Sequence, residues 1–318
     1  LVLLRLAQGI GVGGEWGGAV LLSSEFGDAK RRGFWSSAAQ IGPPAGNLMA
    51  NGVLAVLAAS LSNEDFLSWG WRIAFLASAV LVGFGLLIRL KLEETPVFKA
   101  IQAHGEQPKA PIKEVFTKEP RALVSAALSR ISPDVLYSLL TVFMAVYATK
   151  ELGMSTSNVL TAILIGSAFQ LVLIPAAGAL TDRINRRLVY GIAAVCTALY
   201  IPLFFVMIQD KSVLTLTIGI VIGLAFHAFM YGPQAAYITE QFPARLRYAG
   251  SSLAYTLAGV IGGAIAPLVF TALFAATGNW FLIAGYLAVA AIVTVVGLAL
   301  GRDPHTDEEE RLLQDAHA

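Results

Sequence analysis

Residues 5–33 read RLAQGIGVGGEWGGAVLLSSEFGDAKRRG, and the fold turns on how their glycines are understood. The stretch lies in an apolar run yet carries an arginine, Arg5, and a glutamate, Glu15. It ends in the basic knot Lys30, Arg31 and Arg32. Gly9, Gly11 and Gly14 match G-x-G-x-x-G, the dinucleotide fingerprint, which has meaning only between a strand and a helix of a βαβ unit. The flanking sequence offers no such unit. Gly9/Gly13, Gly13/Gly17 and Gly14/Gly18 are instead small residues four apart, the spacing that lets helix backbones approach in lipid.

Composition agrees. Of 318 residues, 56% are hydrophobic and only 14% charged, with a mean hydropathy of +0.69; soluble domains carry charge on about a quarter of their residues. The balance of 22 basic against 21 acidic residues, net +1, gives no field for nucleic acid. A single cysteine, Cys196, excludes a disulfide framework or a thiolate cage, and the four histidines show no ligand spacing. No metal or cofactor is expected. There is no Gly-Lys-Ser/Thr phosphate loop and no nucleophile–base pair, so the residues support neither ATP hydrolysis nor an enzyme. The chain opens at Leu1 in mid-hydrophobic run, without methionine or signal n-region, and reads as a fragment.

A helix needs about 20 apolar residues to cross the hydrocarbon. Nine segments qualify: residues 1–24, 34–61, 70–92, 122–149, 157–180, 188–208, 213–238, 250–275 and 281–300. The expected fold class is therefore an all-α polytopic membrane protein. Basic residues cluster in alternate loops, around Lys30–Arg32, between Arg89 and Arg121, at Arg183, Arg186 and Arg187, at Arg245 and Arg247, and in the tail after Arg302. The positive-inside rule makes those loops and the C-terminus cytoplasmic, in the plasma (inner) membrane. Residues 93–121, with Pro96, Pro108, Pro111 and Pro120, form a central polar loop between residues 1–92 and 122–300; residues 301–318 form a solvated tail.

A repeat links the two sides. Glu25-Phe26 followed by Arg31, Arg32 and Gly33 matches Glu240-Gln241-Phe242 followed by Arg245, Arg247 and Gly250, as two six-helix halves would place them. The segment GALTDRINRR, from Gly178 to Arg187, resembles the major facilitator superfamily loop motif G-x-L-x-D-R-x-G-R-R. Asn185 stands in place of glycine, a substitution compatible with left-handed backbone. Arg5, Gln8, Gly9 and Gly13 resemble that superfamily's fourth-helix motif. Gly13-Gly14-Glu15-Trp16, Arg32-Gly33 and Glu94-Thr95-Pro96-Val97-Phe98 are similar to the metabolite:proton symporter family, with its shikimate, α-ketoglutarate, citrate and proline/betaine carriers. The resemblance implies a major facilitator fold with nine of twelve helices present, the first three missing. It also implies that helices four, seven and ten of the twelve line a cavity.

Each of those helices carries a polar stripe. On the first stretch Arg5, Gln8, Val12 and Glu15 fall within about an 80° arc at 100° per residue; Arg5 and Gln8 are candidates for substrate binding and Glu15 for proton coupling. A salt bridge between helices explains Arg5 and Glu15 equally well. On the seventh, Arg130, Asp134 and Tyr137 share a face beside a Ser132-Pro133 break; Arg130 and Tyr137 would bind substrate and Asp134 a proton, unless the ion pair is permanent. On the tenth, Tyr231 and Gln234 suit a small polar ligand. His227 is either a coupling group or a satisfied core donor. Family analogy makes Gly178, Asp182, Arg183, Arg186 and Arg187 a cytoplasmic gate, with Glu25, Arg32, Glu240 and Arg245 in the same network.

The expected function is proton-coupled symport of a small organic acid by alternating access, by a monomer whose partners are the substrate, protons and the lipid bilayer. A proline/betaine-type zwitterion is the alternative, because Glu15 and Asp134 could satisfy both arginines. A passive channel and an NAD-dependent enzyme are rivals from other classes.

Overall fold

A computed structural model of the chain describes residues 2–91, 94–103, 105 and 108–302, the side chains of residues 5, 7, 10–12, 29, 63 and 96 excepted. Lipid offers no partner for backbone N–H and C=O groups, so spanning segments must close their own hydrogen bonds. The described secondary structure is accordingly all helix. In chain order its main elements are α1 (Val2–Gly13), α2 (Glu15–Glu25), α3 (Arg32–Ser60), α4 (Phe66–Lys91), α5 (Pro96–Ala103) and α6 (Pro111–Lys118). They continue with α7 (Pro120–Lys150), α8 (Thr156–Leu180), α9 (Arg186–Asp210), α10 (Val213–Glu240), α11 (Ala244–Thr277) and α12 (Phe281–Leu300).

Eight described helices, α3, α4 and α7 to α12, are long and apolar enough to cross a membrane. The opening span differs from expectation. It breaks at Gly14 into α1 and α2, where a residue without Cβ weakens helical continuity. Residues 93–121 also differ, since they form α5 and α6. Val97, Ala100 and Ile101 recur at helical spacing and bury against Ala244, and each helix starts on a proline whose missing N–H costs nothing there.

The core is built from α7 to α12. Helix α8 packs along α10; α9 packs on α10 and α12; α12 packs on α7. Close approach of α8 and α10 requires Gly232, where an added Cβ would stand 2.5 Å from the Ile174 carbonyl. Helix α3 lies against both α8 and α10, and α2 lies against α11. By contrast, no residue of Trp71–Lys91 in α4 is buried.

Proline explains the break in α7. Pro133 has no N–H to give the Ser129 carbonyl, and the helix interrupts at Arg130. Neighbours satisfy the freed groups. Tyr190 Oη donates to Ser129 O at 2.8 Å. Thr294 Oγ1 accepts from Ser132 N at 2.9 Å and donates to Leu128 O at 3.3 Å, so one hydroxyl replaces the missing helical bond. Wide π-turns follow at Leu139–Phe143 in α7 and Gly259–Ala264 in α11. Asn185 is a correction: its backbone is at φ −51°, not left-handed, and its side chain caps α9 by accepting from Leu188 N.

Candidate substrate cavity and gate

The break in α7 sets an ion pair into the wall of a cavity of about 230 Å³. Arg130 Nε lies 2.9 Å from Asp134 Oδ2 and 3.1 Å from Oδ1, with both side chains about nine-tenths buried. Arg130 Nη1 also donates to the Tyr255 carbonyl, and the guanidinium sits over the Tyr255 ring. Room for the pair comes from α11: Gly262 lets Asp134 approach, since a Cβ there would be 3.0 Å from Asp134 Cβ. Tyr137, His227 and Tyr231 also line the cavity, with His227 stacked on Tyr231 at 4.8 Å and tilted against Tyr137 at 5.1 Å.

Two amides organise the rest. Gln40 of α3 accepts from Trp16 Nε1 at 2.8 Å and donates to Tyr231 O at 3.1 Å and Gln234 Oε1 at 3.3 Å. Gln234 Nε2 in turn donates to Tyr190 Oη at 3.0 Å, which ties this network to the Ser129 carbonyl at the α7 break. Trp16 stacks on Tyr255 at 3.7 Å. On α8, Gln170 Nε2 donates to Leu224 O at 3.2 Å and meets His227 Nδ1 at 2.7 Å. With Gln170 Nε2 on the Leu224 carbonyl, the tautomer that fits this contact has Nδ1 accepting.

The structure thus brings Arg130, Asp134, Tyr137, His227 and Tyr231 together around one space, with Gln234 in the hydrogen-bond network behind Tyr231. The first stripe does not join them as drawn. Glu15 is exposed and lies 3.7 Å from Arg89 of α4. Gln8 is exposed on α1. The side chain of Arg5 lies outside the described residues. Trp16, one position from Glu15, is the residue of α2 that reaches the cavity network. Gln40, Gln170, Tyr190 and Tyr255 were also missed. The two glutamines carried a signal, an amide inside an apolar span; the tyrosines carried none.

At the basic end of the bundle, Asp182 Oδ1 accepts from Gly33 N at 2.7 Å and Oδ2 from Phe34 N at 3.0 Å. The carboxylate therefore caps the N-terminus of α3 across the interface. Arg186 pairs with Glu240 and lies 4.0 Å from Asp182. A Cβ on Gly178 would be 2.5 Å from Gly33 O, and one on Gly33 would be 2.5 Å from Gly178 O. The two glycines let α3 and α8 approach closely here.

Glu25 pairs with Arg247 at 3.6 Å, both buried, joining α2 to α11. Arg245 instead takes Glu114 of α6 at 3.2 Å, and Lys118 holds the same carboxylate at 2.8 Å. Hydrogen bonding from Lys118, with the added charges of Lys118 and Arg245, keeps Glu114 below the usual carboxylate range. Arg187 donates to the Arg302 carbonyl, Arg183 is exposed, and Arg32 lies beside Gly33 at the capped end of α3.

The capping carboxylate belongs to the loop reading G-x-L-x-D-R that resembles the superfamily motif. The family model of the Major Facilitator Superfamily matches residues 1–267 and 134–318. The chain belongs to the major facilitator superfamily. Within it, the chain is 33% identical over 306 residues to the inner membrane metabolite transport protein YhjE of Escherichia coli (strain K12), covering 94% of this chain and 69% of that protein. It is 32% identical over 307 residues to the shikimate transporter of the same organism, covering 95% and 70%. It is 31% identical over 310 residues to the proline/betaine transporter of Salmonella typhimurium, covering 93% and 61%. A solved structure of the proton:xylose symporter XylE superposes with a TM-score of 0.70 at 16% identity, over 93% of this chain and 70% of that one, which establishes the superfamily fold. These relatives are transporters, not enzymes, and the chain is a metabolite transporter of the membrane.

Proposed function

We propose that the protein is a proton-coupled symporter of a small organic acid, in which Arg130 and Asp134 exchange partners. The observation that carries the reading is the Arg130–Asp134 pair, buried at the wall of the cavity. A charged pair in hydrocarbon is retained only if both members stay compensated. When a substrate carboxylate takes the Arg130 guanidinium, Asp134 loses its counter-charge and takes a proton. When the substrate leaves, Arg130 recovers Asp134 and the proton departs. The Tyr255 carbonyl and ring hold Arg130 in place through the exchange.

In this reading His227 donates its Nε2 proton to substrate, because Nδ1 is held as an acceptor by Gln170. Tyr137 and Tyr231 supply polar contacts from the cavity wall, with Gln40 bonded to the Tyr231 carbonyl and Gln234 bonded to Gln40 behind it. Residues 1–92 and 122–300 act as the two moving halves, joined by residues 93–121. Asp182, Arg186, Glu240, Glu25 and Arg247 hold the basic, cytoplasmic end closed, the side on which the C-terminus also lies. Proton-gradient-driven uptake in proteoliposomes of the full-length protein tests the reading. It predicts accumulation of small carboxylates, lost when the gradient is collapsed.

One observation favours a second reading. Tyr137 and Tyr231 line the same cavity as Asp134, aromatic surroundings that suit a quaternary ammonium. A zwitterion would then set its carboxylate on Arg130 and its cation on Asp134. Uptake of betaine, with carboxylates neither transported nor competing, would select it.

A further inference from the structure

A directed chain of hydrogen bonds runs through the bundle beside the cavity. It starts at the Trp16 indole, a group that can only donate, whose Nε1 gives a bond of 2.8 Å to Gln40 Oε1. Gln40 Nε2 donates to Gln234 Oε1 at 3.3 Å and to the Tyr231 carbonyl at 3.1 Å. Gln234 Nε2 donates to Tyr190 Oη at 3.0 Å, and Tyr190 donates at 2.8 Å to the Ser129 carbonyl, which can only accept. A donor-only group at one end and an acceptor-only group at the other fix the orientation of both amides. Gln40, Gln234, Tyr190 and Ser129 are fully buried, so a bond broken within the chain leaves a desolvated polar group behind.

Both ends of the chain meet Arg130. Ser129 precedes it at the α7 break. Trp16 stacks at 3.7 Å on Tyr255, the ring over which the Arg130 guanidinium sits at 3.1 Å. Tyr231, whose carbonyl Gln40 holds, also meets Tyr255 Oη through its own hydroxyl at 3.1 Å. The middle of the chain belongs to α3. Gln40 lies two turns beyond Gly33, about 10 Å at 1.5 Å per residue, and Gly33 N is the donor that Asp182 accepts. The Gln40–Gln234 bond is where the chain passes from α3 to α10. One helix therefore carries both the cap at the basic end and the crossing that leads to the ion pair.

We infer that Gln40 is a positioning residue that couples closure of the basic end to the Arg130–Asp134 pair. With α3 seated on α10 the chain is complete, and Ser129 and Tyr255 hold Arg130 for pairing with Asp134. When α3 withdraws, the Gln40 amide leaves both of its acceptors, Tyr190 and Trp16 lose their fixed partners, and the hold on Arg130 loosens from both sides. Such coupling is reciprocal: a change at the pair moves the equilibrium at the crossing by the same factor. The inference rests on the symport reading above and adds the link by which cavity and gate act on each other.

The test reads the gate while altering the pair, in the full-length protein in detergent with Ser37→Cys as its one cysteine. Ser37 is buried on α3 beside Gly178. Asp134→Asn, which takes the counter-charge from Arg130, should raise the rate of thiol labelling about fivefold, the lower end of typical allosteric coupling. Gln40→Met is unbranched and of similar length but offers the chain no amide, and in that background Asp134→Asn should leave the rate unchanged. Gln234→Met cuts the same crossing from α10 and should give the same result, with the two substitutions together adding nothing. A response to Asp134→Asn that persists in both backgrounds, or its absence from the parent protein, overturns the coupling. The labelling does not depend on which substrate is carried; failure of the symport reading shows instead as carboxylate uptake that ignores the proton gradient.

Discussion

Asp182 and Gly33 are 149 positions apart in sequence, yet the Asp182 carboxylate accepts the Gly33 backbone N–H at 2.7 Å. A carboxylate at a helix N-terminus satisfies orphan donors and meets the positive end of the dipole. Here the helix belongs to another part of the bundle, so in the proposed gate the cap would serve as a latch. The latch needs glycine at both crossing points, since a Cβ on Gly33 or Gly178 meets the other's carbonyl at 2.5 Å.

Gly178→Ala should therefore weaken closure at this end without unfolding the bundle. In a Cys196→Ser background, Ser37→Cys, buried beside Gly178, should react with a membrane-impermeant thiol reagent several-fold faster once Gly178→Ala is added. Unchanged reactivity would remove the crossing from the gate.

The Glu25–Arg247 pair offers a stability test. Both side chains are almost fully buried, and removing one partner of such a pair costs about 3–5 kcal/mol because a buried charge is left behind. Glu25→Gln and Arg247→Gln should each lower the melting temperature in detergent. The reversed pair, Glu25→Arg with Arg247→Glu, should recover much of the loss; no recovery would mean that the two act separately.

Glu114 gives a pH dependence with a defined sign. Its folded pKa is depressed, first by the Lys118 hydrogen bond and also by Arg245. The stabilisation is thus present above the unfolded carboxylate value and lost as pH falls through the folded one. Hydrogen exchange of α6 should speed up as pH is lowered through the acid range, beyond the intrinsic pH effect. Glu114→Gln should remove that excess, and a pH-independent excess would contradict the assignment.

At the α7 break, Tyr190→Phe deletes the hydroxyl that satisfies the carbonyl freed by Pro133. Leaving a buried carbonyl unpaired costs about 1–3 kcal/mol. The variant should be less stable and should transport less, since Gln234 loses its acceptor at the same time. Wild-type stability would show that water replaces the hydroxyl.

The sequence made the spans, the polar stripes on α7 and α10 and the Asp182 motif readable, because each is local and periodic. Ser132-Pro133 announced a break in α7, but not that Thr294 and Tyr190 would repair it; those partners come from helices far along the chain. Glu15 misled because periodicity tells which residues share a helix face, not whether that face meets the cavity. Gln40 was visible as an amide in an apolar run, yet its bonds to Trp16, Tyr231 and Gln234 exist only once α3 crosses α10. Arg245 and Arg247 look equivalent in sequence. A difference of two residues turns one toward α6 and buries the other against Glu25.

The central claim is that Asp134 carries the coupled proton when substrate occupies Arg130. Asp134→Asn in the full-length protein, reconstituted in proteoliposomes, tests it most directly. The account predicts that accumulation driven by a proton gradient is abolished while counterflow exchange of preloaded substrate continues, because asparagine keeps the shape and loses the proton. Gradient-driven accumulation at the wild-type level in that variant would contradict it.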